Sequence, residues 1–388
     1  MKKFLLFCFA IILVGVFLTN DLRLKDCVFA EKELNYPEIS IFSAYVCDFY
    51  TGKVVYEKNA DKRKPIASMT KVVGLAIIFD ELKKGTFSLD DETIISEHAA
   101  DTGGSSAFLD EGSKYKVEDL IKSIIIASAN DSMVALAEFV SGSEKSFVNK
   151  MNDFAKENGM INTRFENATG LPSVNAYSTA KDIVIGYKEI VNEPIYIKYS
   201  KIWIDELVHP SGRKTELVNT NKLIKSYKKI NGGKTGYTNE AKYCFVGNAI
   251  QGDINIIASV LGAESSKIRF DELKMLYEFA FNNYTNKLIV DTDKPVAQIN
   301  IKNAKSNKIN AFSCEKLYNF QKNNENQDVK VVTKFYKNIA PISPYSVVGK
   351  VYLVDNTGIV ICESNLIVKE KIEKLSVFDC FDKIVTAW

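Results

Sequence analysis

The chain has 388 residues, 46% of them hydrophobic and 25% charged. That supplies a large core and exceeds one domain of ordinary size, so two domains are expected. Its 50 basic and 48 acidic side chains leave a formal charge of +2, without the basic excess or stripe that a nucleic-acid partner requires.

The N-terminus reads as an export signal over residues 1–30. Lys2 and Lys3 precede an apolar run over 4–18, and a polar stretch then leads to Val28-Phe29-Ala30. A basic start, a short apolar stretch and a small residue at the cut describe a secretory leader. The alternative is an uncleaved anchor, but the run is shorter than the ~20 residues that span a bilayer. Leu24-Lys25-Asp26-Cys27 lacks small residues ahead of a cysteine that would carry lipid. Cleavage after Ala30 leaves Cys47, Cys244, Cys314, Cys362 and Cys380. An odd number without C-x-x-C spacing suggests neither a disulfide framework nor a zinc site. The two histidines, His98 and His209, fall in no ligand or triad pattern and read as ordinary surface or loop residues.

Along the mature chain, β-rich runs over 39–57 flank a turn at Tyr50-Thr51-Gly52 and predict a hairpin. A helix is predicted from near Ser68, carrying Val72, Val73, Leu75, Ala76, Ile78, Phe79 and Leu82 until Gly85 stops it. Further helices are expected over 117–127, 131–140 and 270–284, and buried strands over 242–249 and 255–262. Helices between an N-terminal hairpin and later strands predict an α/β (α+β) domain over 36–287, with an antiparallel sheet. Short β-like runs over 296–301, 329–335, 347–354 and 359–362 predict a small all-β domain over 291–372. At the end, Leu375, Val377, Phe378, Phe381, Ile384, Val385 and Trp388 fall on one helical face. Such a stripe commonly faces a core. At the extremity of an exported chain, a helix over 373–388 lying in a membrane interface is the preferred reading.

Three short signatures stand in order: Ser68-Met69-Thr70-Lys71, Ser128-Ala129-Asn130 and Lys234-Thr235-Gly236. Singly they are weak, since S-x-x-K also occurs at Ser113, Ser178, Ser211, Ser226 and Ser313. Ser68 differs in its setting. It stands where an apolar helix begins, with Lys71 one turn on along the same face, and helix starts offer unpaired N–H groups to negative charge. A serine hydroxyl needs a base to become a nucleophile. Lysine serves only if burial or a neighbouring cation lowers its pKa, and the apolar run and Lys234 provide for both. Ser128 and Asn130 fall on a short connection between apolar helices, where a capping role is the plain alternative. On its sequence, Lys234-Thr235-Gly236 opens the strand-like run through Tyr243-Cys244-Phe245-Val246, with Gly236 permitting close approach of a ligand.

The order of these signatures is that of penicillin-binding proteins and class A β-lactamases. The flanking stretches narrow the resemblance: PIASMTK at 65–71, SANDS at 128–132, NATGLP at 167–172, YSTAKD at 177–182 and NGGKTGYT at 231–238. With EKNAD at 57–61, GGSS at 103–106 and NTNKL at 219–223, the chain resembles the low-molecular-weight D-alanyl-D-alanine carboxypeptidases. VGK at 348–350 and FDCF at 378–381 are similar to that family's small β domain and terminal amphipathic helix. The resemblance implies that Ser68 attacks the penultimate D-alanine carbonyl of a peptidoglycan stem peptide, with Lys71 accepting its proton. It implies a proton relay at Ser128, peptide binding at Asn130, and carboxylate binding at Lys234, Thr235 and Arg269 beside Gly236. Backbone N–H groups of Ser68 and Tyr237 would form the oxyanion hole. β-Lactams would be covalent inhibitors, and no metal or organic cofactor is implied. Ala176 stands where the family often has histidine, and Lys242 where glycine is usual.

A serine β-lactamase is the nearest rival, but Glu166-Asn167-Ala168-Thr169-Gly170 does not fit the E-x-x-L-N element of class A enzymes. The motifs leave open a D,D-endopeptidase or transpeptidase. A silent wall-binding scaffold should have lost Ser68, Lys71 or Lys234, and all three are present.

Overall fold

The computed structural model describes residues 34–305, 308–325, 327–376 and 379. The expected leader and most of the expected terminal helix lie outside them. The β-rich runs over 39–57 form β1 (Ser43–Asp48) and β2 (Val54–Lys58). Asp48 shapes the turn between them, accepting from the Thr51 amide at 2.7 Å and its hydroxyl at 2.8 Å. With β3 (Ile230–Thr238), β4 (Lys242–Gln251) and β5 (Ile254–Ala263), they make an antiparallel sheet in the order β2-β1-β5-β4-β3. The strands expected over 242–249 and 255–262 are thus β4 and β5. Lys234-Thr235-Gly236 does not open β4, as its sequence suggests. It lies in a separate edge strand, β3, which pairs Thr235 with Phe245 and Gly236 with Cys244. The glycines that hide this strand from a hydrophobic pattern are there for packing: a Cβ on Gly233 would fall 2.2 Å from the Phe245 ring.

The helix expected at Ser68 is a 3-10 turn, Ala67–Thr70, followed by α1 (Lys71–Lys84). Gly85 ends α1 in the left-handed conformation at φ 73°, as a C-terminal glycine commonly does. α2 (Val117–Ala127) and α3 (Asn130–Ser141) match their expected spans. α4 (Glu144–Glu157) and α5 (Ala180–Ile190) were not anticipated by the pattern, although Ser143 and Thr179 cap them through the amides of Ser146 and Asp182. α6 (Ser266–Asn283) starts one turn before its expected beginning because Ser265 caps the Ile268 amide.

The first nine residues of α1 are buried, so this helix is apolar all round and central, unlike a surface helix. Gly74 lets α3 approach it, since a Cβ there would meet Met133 Cε at 2.6 Å. The sheet is covered on both faces. Phe245 of β4 packs edge-on against Phe270 of α6 at 6.1 Å. Asn248, three residues on and therefore facing the other way, accepts from the Tyr187 hydroxyl of α5 at 3.0 Å.

From α6 to residue 367 the described residues form strands and their connections. β6 (Tyr284–Val290) pairs with β9 (Leu317–Lys322). A second sheet contains β7 (Pro295–Asn300), β8 (Lys308–Ser313), β10 (Val329–Phe335), β11 (Val347–Asp355) and β12 (Val360–Ile367), in the order β7-β8-β12-β11-β10. Val290, Ile299, Leu317, Val351, Leu353 and Leu366 give it a core of its own. A mixed α/β part with an antiparallel sheet, followed by a small all-β part, is the expected fold class. Among the described residues no helix is long and apolar enough to cross a membrane. Cys47, Cys244, Cys314 and Cys362 are free thiols.

His98 is exposed beside Glu144, but His209 is not the surface residue its sequence suggests. It is buried, with Nδ1 against the Tyr115 hydroxyl at 2.6 Å and Nε2 against Thr215 Oγ1 at 2.8 Å. Asp131, buried in the first turn of α3, holds the loop ahead of it. Its carboxylate accepts from the Ser106 hydroxyl at 2.6 Å and from the amides of Ala107 at 3.0 Å and Leu109 at 3.1 Å. Asp131→Ala would strand these buried donors. It should lower the unfolding free energy by about 3–5 kcal/mol, read as a shift of the urea midpoint at unchanged slope.

Candidate active site

Ser68 occupies a strained turn gripped from two sides. Ala67 has φ 48°, a left-handed geometry that costs a non-glycine residue about 1–3 kcal/mol. Gly170, at φ 83°, lies so close that a Cβ on it would stand 1.9 Å from the Ala67 carbonyl oxygen. From the sheet side, a Cβ on Gly236 would stand 2.5 Å from the Ile66 carbonyl oxygen. The turn is therefore clamped between the 167–172 loop and the middle of β3.

Within that clamp Lys71 Nζ lies 2.9 Å from Ser68 Oγ and donates to the Thr169 carbonyl at 2.7 Å. Asn167 sets that carbonyl: its Oδ1 accepts from the Thr169 hydroxyl at 3.1 Å and the Gly170 amide at 2.7 Å. The Lys71 side chain is fully buried. Burial first, and then the charge of Lys234, hold its pKa well below the ordinary lysine value, while Asp131 pulls weakly the other way.

Ser128 caps α2 in the left-handed conformation at φ 66°, which turns its hydroxyl toward β3. Lys234 Nζ donates to Ser128 Oγ at 2.7 Å and to the Thr235 carbonyl at 3.0 Å. Burial, followed by the charge of Arg269, lowers Lys234 to about 7. Thr235 Oγ1 donates to Thr220 Oγ1 at 2.7 Å. Arg269, buried on α6, donates to the Cys244 carbonyl at 3.2 Å and lies 4.2 Å from the Phe270 ring centroid. It reaches this group through its charge on Lys234. Asn130 donates to the Gly103 carbonyl at 2.6 Å, and its buried Oδ1 has no partner among the described residues. The Tyr237 ring is exposed against Tyr243; only its position in β3 brings it to the site.

Ser68 with Lys71, and Ser128 with Lys234 and Thr235, are thus assembled by direct contacts, as the motif order predicts. The roles of Asn167, Thr169, Asp131 and Thr220 were missed. NATGLP and NTNKL marked three of these positions, but no spacing rule says that one residue supplies a carbonyl or that another receives a threonine hydroxyl. Among the described residues there is no group of acidic, histidine or cysteine side chains arranged to hold a metal.

The sequence profile of the peptidase family described as D-alanyl-D-alanine carboxypeptidase matches residues 30–265. The chain belongs to that family. The profile of the penicillin-binding protein 5 C-terminal domain matches residues 284–374. The D-alanyl-D-alanine carboxypeptidase DacF of Bacillus subtilis is 39% identical over 348 residues, 89% of each chain. DacC of Escherichia coli, another D-alanyl-D-alanine carboxypeptidase, is 35% identical over 259 residues, 65% of this chain and 64% of that one. Among solved structures, the carboxypeptidase DacD from Francisella tularensis superposes with a TM-score of 0.68 at 28% identity, covering 92% of this chain and 98% of its own. Penicillin-binding protein 5 from Haemophilus influenzae gives 0.69 at 27%, with 87% and 99% covered. The protein is a serine-type D-alanyl-D-alanine carboxypeptidase, an enzyme of cell-wall peptidoglycan.

In this carboxypeptidase the clamp on the Ser68 turn can be tested without touching a polar side chain. Gly170→Ala forces a methyl group against the Ala67 carbonyl at a backbone angle that only glycine adopts readily. Acylation by a fluorescent penicillin should slow by about 100-fold, the scale expected when a reacting group moves by ~1 Å. Gly142→Ala, also at positive φ but with nothing within 4 Å of the added methyl, should leave the rate nearly unchanged.

Proposed function

We propose that Ser68 is the nucleophile and Lys71 its base. The observation that carries this reading is the 2.9 Å approach of a fully buried lysine amine to a serine hydroxyl. A neutral amine has one lone pair and two protons. With one N–H directed to the Thr169 carbonyl, the lone pair can face Ser68 Oγ. Ser68 Oγ then attacks the carbonyl of the penultimate D-alanine while its proton passes to Lys71 Nζ. The negative charge that develops on the carbonyl oxygen is received by the Ser68 and Tyr237 N–H groups, donors typically worth about 3–4 kcal/mol each. The carbon–nitrogen bond breaks as Lys71 gives up that proton, through Ser128, to the nitrogen of the departing D-alanine, which leaves the amine neutral again. Water, deprotonated by the same amine, releases the shortened peptide and restores Ser68.

The terminal carboxylate of the substrate is assigned to Lys234 and Thr235, with Arg269 adding positive potential from behind. Asn130, whose Oδ1 is unpaired, accepts from a peptide N–H of the substrate. β-Lactams acylate Ser68 by the same attack. Family members act on the cell wall outside the cytoplasm. We infer export through the 1–30 leader and peripheral attachment through the apolar stripe of 373–388, with residues 36–287 as the catalytic domain and 291–372 as the β domain.

Ser68→Ala should reduce D-alanine release from a diacyl-L-Lys-D-Ala-D-Ala peptide by about 10⁴-fold or more and abolish penicillin labelling. Release at the parent rate would refute the assignment. The pH profile supplies a second test. Lys71 must be neutral to accept a proton, so kcat/KM rises with pH through its lowered pKa. Lys234 must be charged to hold the carboxylate, so kcat/KM falls as pH rises through about 7, because this parameter reports the free enzyme. Lys234→Arg should keep activity on the alkaline side. An alkaline limb near the ordinary lysine value of 10.5 would exclude this role for Lys234.

A further inference from the structure

The loop over 103–110, which holds Asn130, is gripped from a side that the proposed mechanism does not use. The Asn130 side chain donates to its Gly103 carbonyl at 2.6 Å, and the Asn130 amide to its Ser105 carbonyl at 2.7 Å. Asp131 holds the middle of the loop from the protein interior. The outer end, Phe108 to Asp110, lies outside any helix or strand. Phe108 stands at φ 59° and is 63% exposed. A bulky residue keeps that left-handed geometry only where its surroundings impose it.

The imposing element is a hairpin that no catalytic motif covers. Its strands, Ile204–Val208 and Lys214–Val218, are antiparallel and seated by the buried Leu207 and Leu217. The turn is closed by the His209 amide on the Arg213 carbonyl at 2.8 Å and the Gly212 amide on the His209 carbonyl at 2.9 Å. One side chain from each end of this turn grips the loop. Arg213 donates to the Phe108 carbonyl and to Asp110 Oδ1 at 2.7 Å. His209 acts through Tyr115, whose hydroxyl lies 2.6 Å from His209 Nδ1 and accepts from the Asp110 amide at 3.1 Å.

The partners of His209 fix its tautomer. A guanidinium has only protons to offer, and Arg213 lies 3.1 Å from His209 Nδ1. Nδ1 therefore carries the lone pair, and Nε2–H donates to Thr215 Oγ1 at 2.8 Å. Burial, and then the Arg213 charge, lower the imidazole pKa from 6.5, against the smaller pull of Asp110 and Asp131. A neutral His209 takes the Tyr115 proton, which leaves the phenol oxygen free to accept from Asp110.

We propose, resting on the substrate contact assigned above to Asn130, that His209 and Arg213 are positioning residues for acylation. The hairpin tip clamps the outer end of the 103–110 loop. Through the Gly103 and Ser105 carbonyls that loop fixes the Asn130 side chain for the substrate. The same hairpin leads into Thr220, which receives the Thr235 hydroxyl at 2.7 Å. One hairpin thus ties the Asn130 wall of the cleft to the Thr235 wall.

The test is the second-order rate of Ser68 acylation by a fluorescent penicillin, measured on the full chain. His209→Leu removes the acceptor at nearly the same bulk. It should slow acylation about tenfold, less than the ~100-fold expected when a reacting group itself moves by ~1 Å. His209→Asn places Oδ1 where Nδ1 stood and should restore the rate to within about threefold of the parent. Arg213→Met, which frees Phe108 and Asp110 from the exposed side, should also slow acylation about tenfold. Coupling decides the matter. In an Asn130→Ala background, His209→Leu should slow acylation by less than about twofold, because the group it positions is gone. If the His209→Leu chain does not fold, Arg213→Met is carried through the same cycle. Equal slowing in both backgrounds would mean a general loosening and would overturn the proposal. Parent rates for both His209→Leu and Arg213→Met, or an Asn variant no faster than the Leu variant, would overturn it as well. Acylation of Asn130→Ala at the parent rate would instead refute the substrate contact of Asn130, on which the proposal rests.

Discussion

A lysine amine with no exposure to water, 2.9 Å from a serine hydroxyl, is the constraint around which this molecule is built. Burying an ammonium is costly enough that the group gives up its charge instead. Lys71 therefore sits in the first turn of a helix whose next eight residues are also buried. That helix must lie in the middle of the protein, wrapped by α3, α4 and α5, with the 3-10 turn ahead of it against β3 and β4. Central burial of α1 is a stability feature and a pKa device at once. On the proposed mechanism, an α1 lying on the surface, with one wet face, would leave Lys71 charged and unable to act as the base.

The second requirement is geometric. A buried amine near a hydroxyl is inert unless the hydroxyl is presented at an open edge. The protein meets this with backbone contacts too close for side chains. Gly170 presses on the Ala67 carbonyl and Gly236 on the Ile66 carbonyl, so the Ser68 turn cannot relax into regular helix. Both contacts come from segments distant in sequence, the Asn-Ala-Thr-Gly loop and the edge strand β3. The Asn167 side chain that shapes the loop also aims the Thr169 carbonyl at Lys71. Position and protonation of the Lys71 amine thus share one small cluster of hydrogen bonds.

Much of this could be read from the sequence, for identifiable reasons. α1, α2 and α3 announced themselves because an apolar core helix needs an uninterrupted pattern and a stop, which Gly85 supplies. The order of Ser68, Ser128 and Lys234 marked the candidate site, because the chemistry proposed for them admits few substitutes. β3 was lost because Gly232, Gly233 and Gly236 serve close packing and erase the apolar alternation of a strand. α4 and α5 were lost because their apolar positions are interleaved with charge, leaving only the caps at Ser143 and Thr179. His209 is a loop residue, as its sequence suggests, but its burial was not legible because its partners, Tyr115 and Thr215, are fixed by tertiary structure. Thr220 was quoted within a motif but carried no role until its hydroxyl met Thr235.

Three basic side chains, Lys71, Lys234 and Arg269, stand in succession through this region, and the charge of one lowers the pKa of the next: Arg269 acts on Lys234 and Lys234 on Lys71. On the proposed mechanism this series does more than attract a carboxylate. When the substrate's terminal carboxylate arrives beside Lys234 and Thr235, it stabilises the charged form of Lys234, which in the free enzyme is poised near 7. A charged Lys234 in turn disfavours a second charge on Lys71, keeping the base neutral at the moment it must accept a proton from Ser68. Binding at one end of the row and reactivity at the other are then one electrostatic event. A peptide without the terminal carboxylate would occupy the cleft yet fail to set the base.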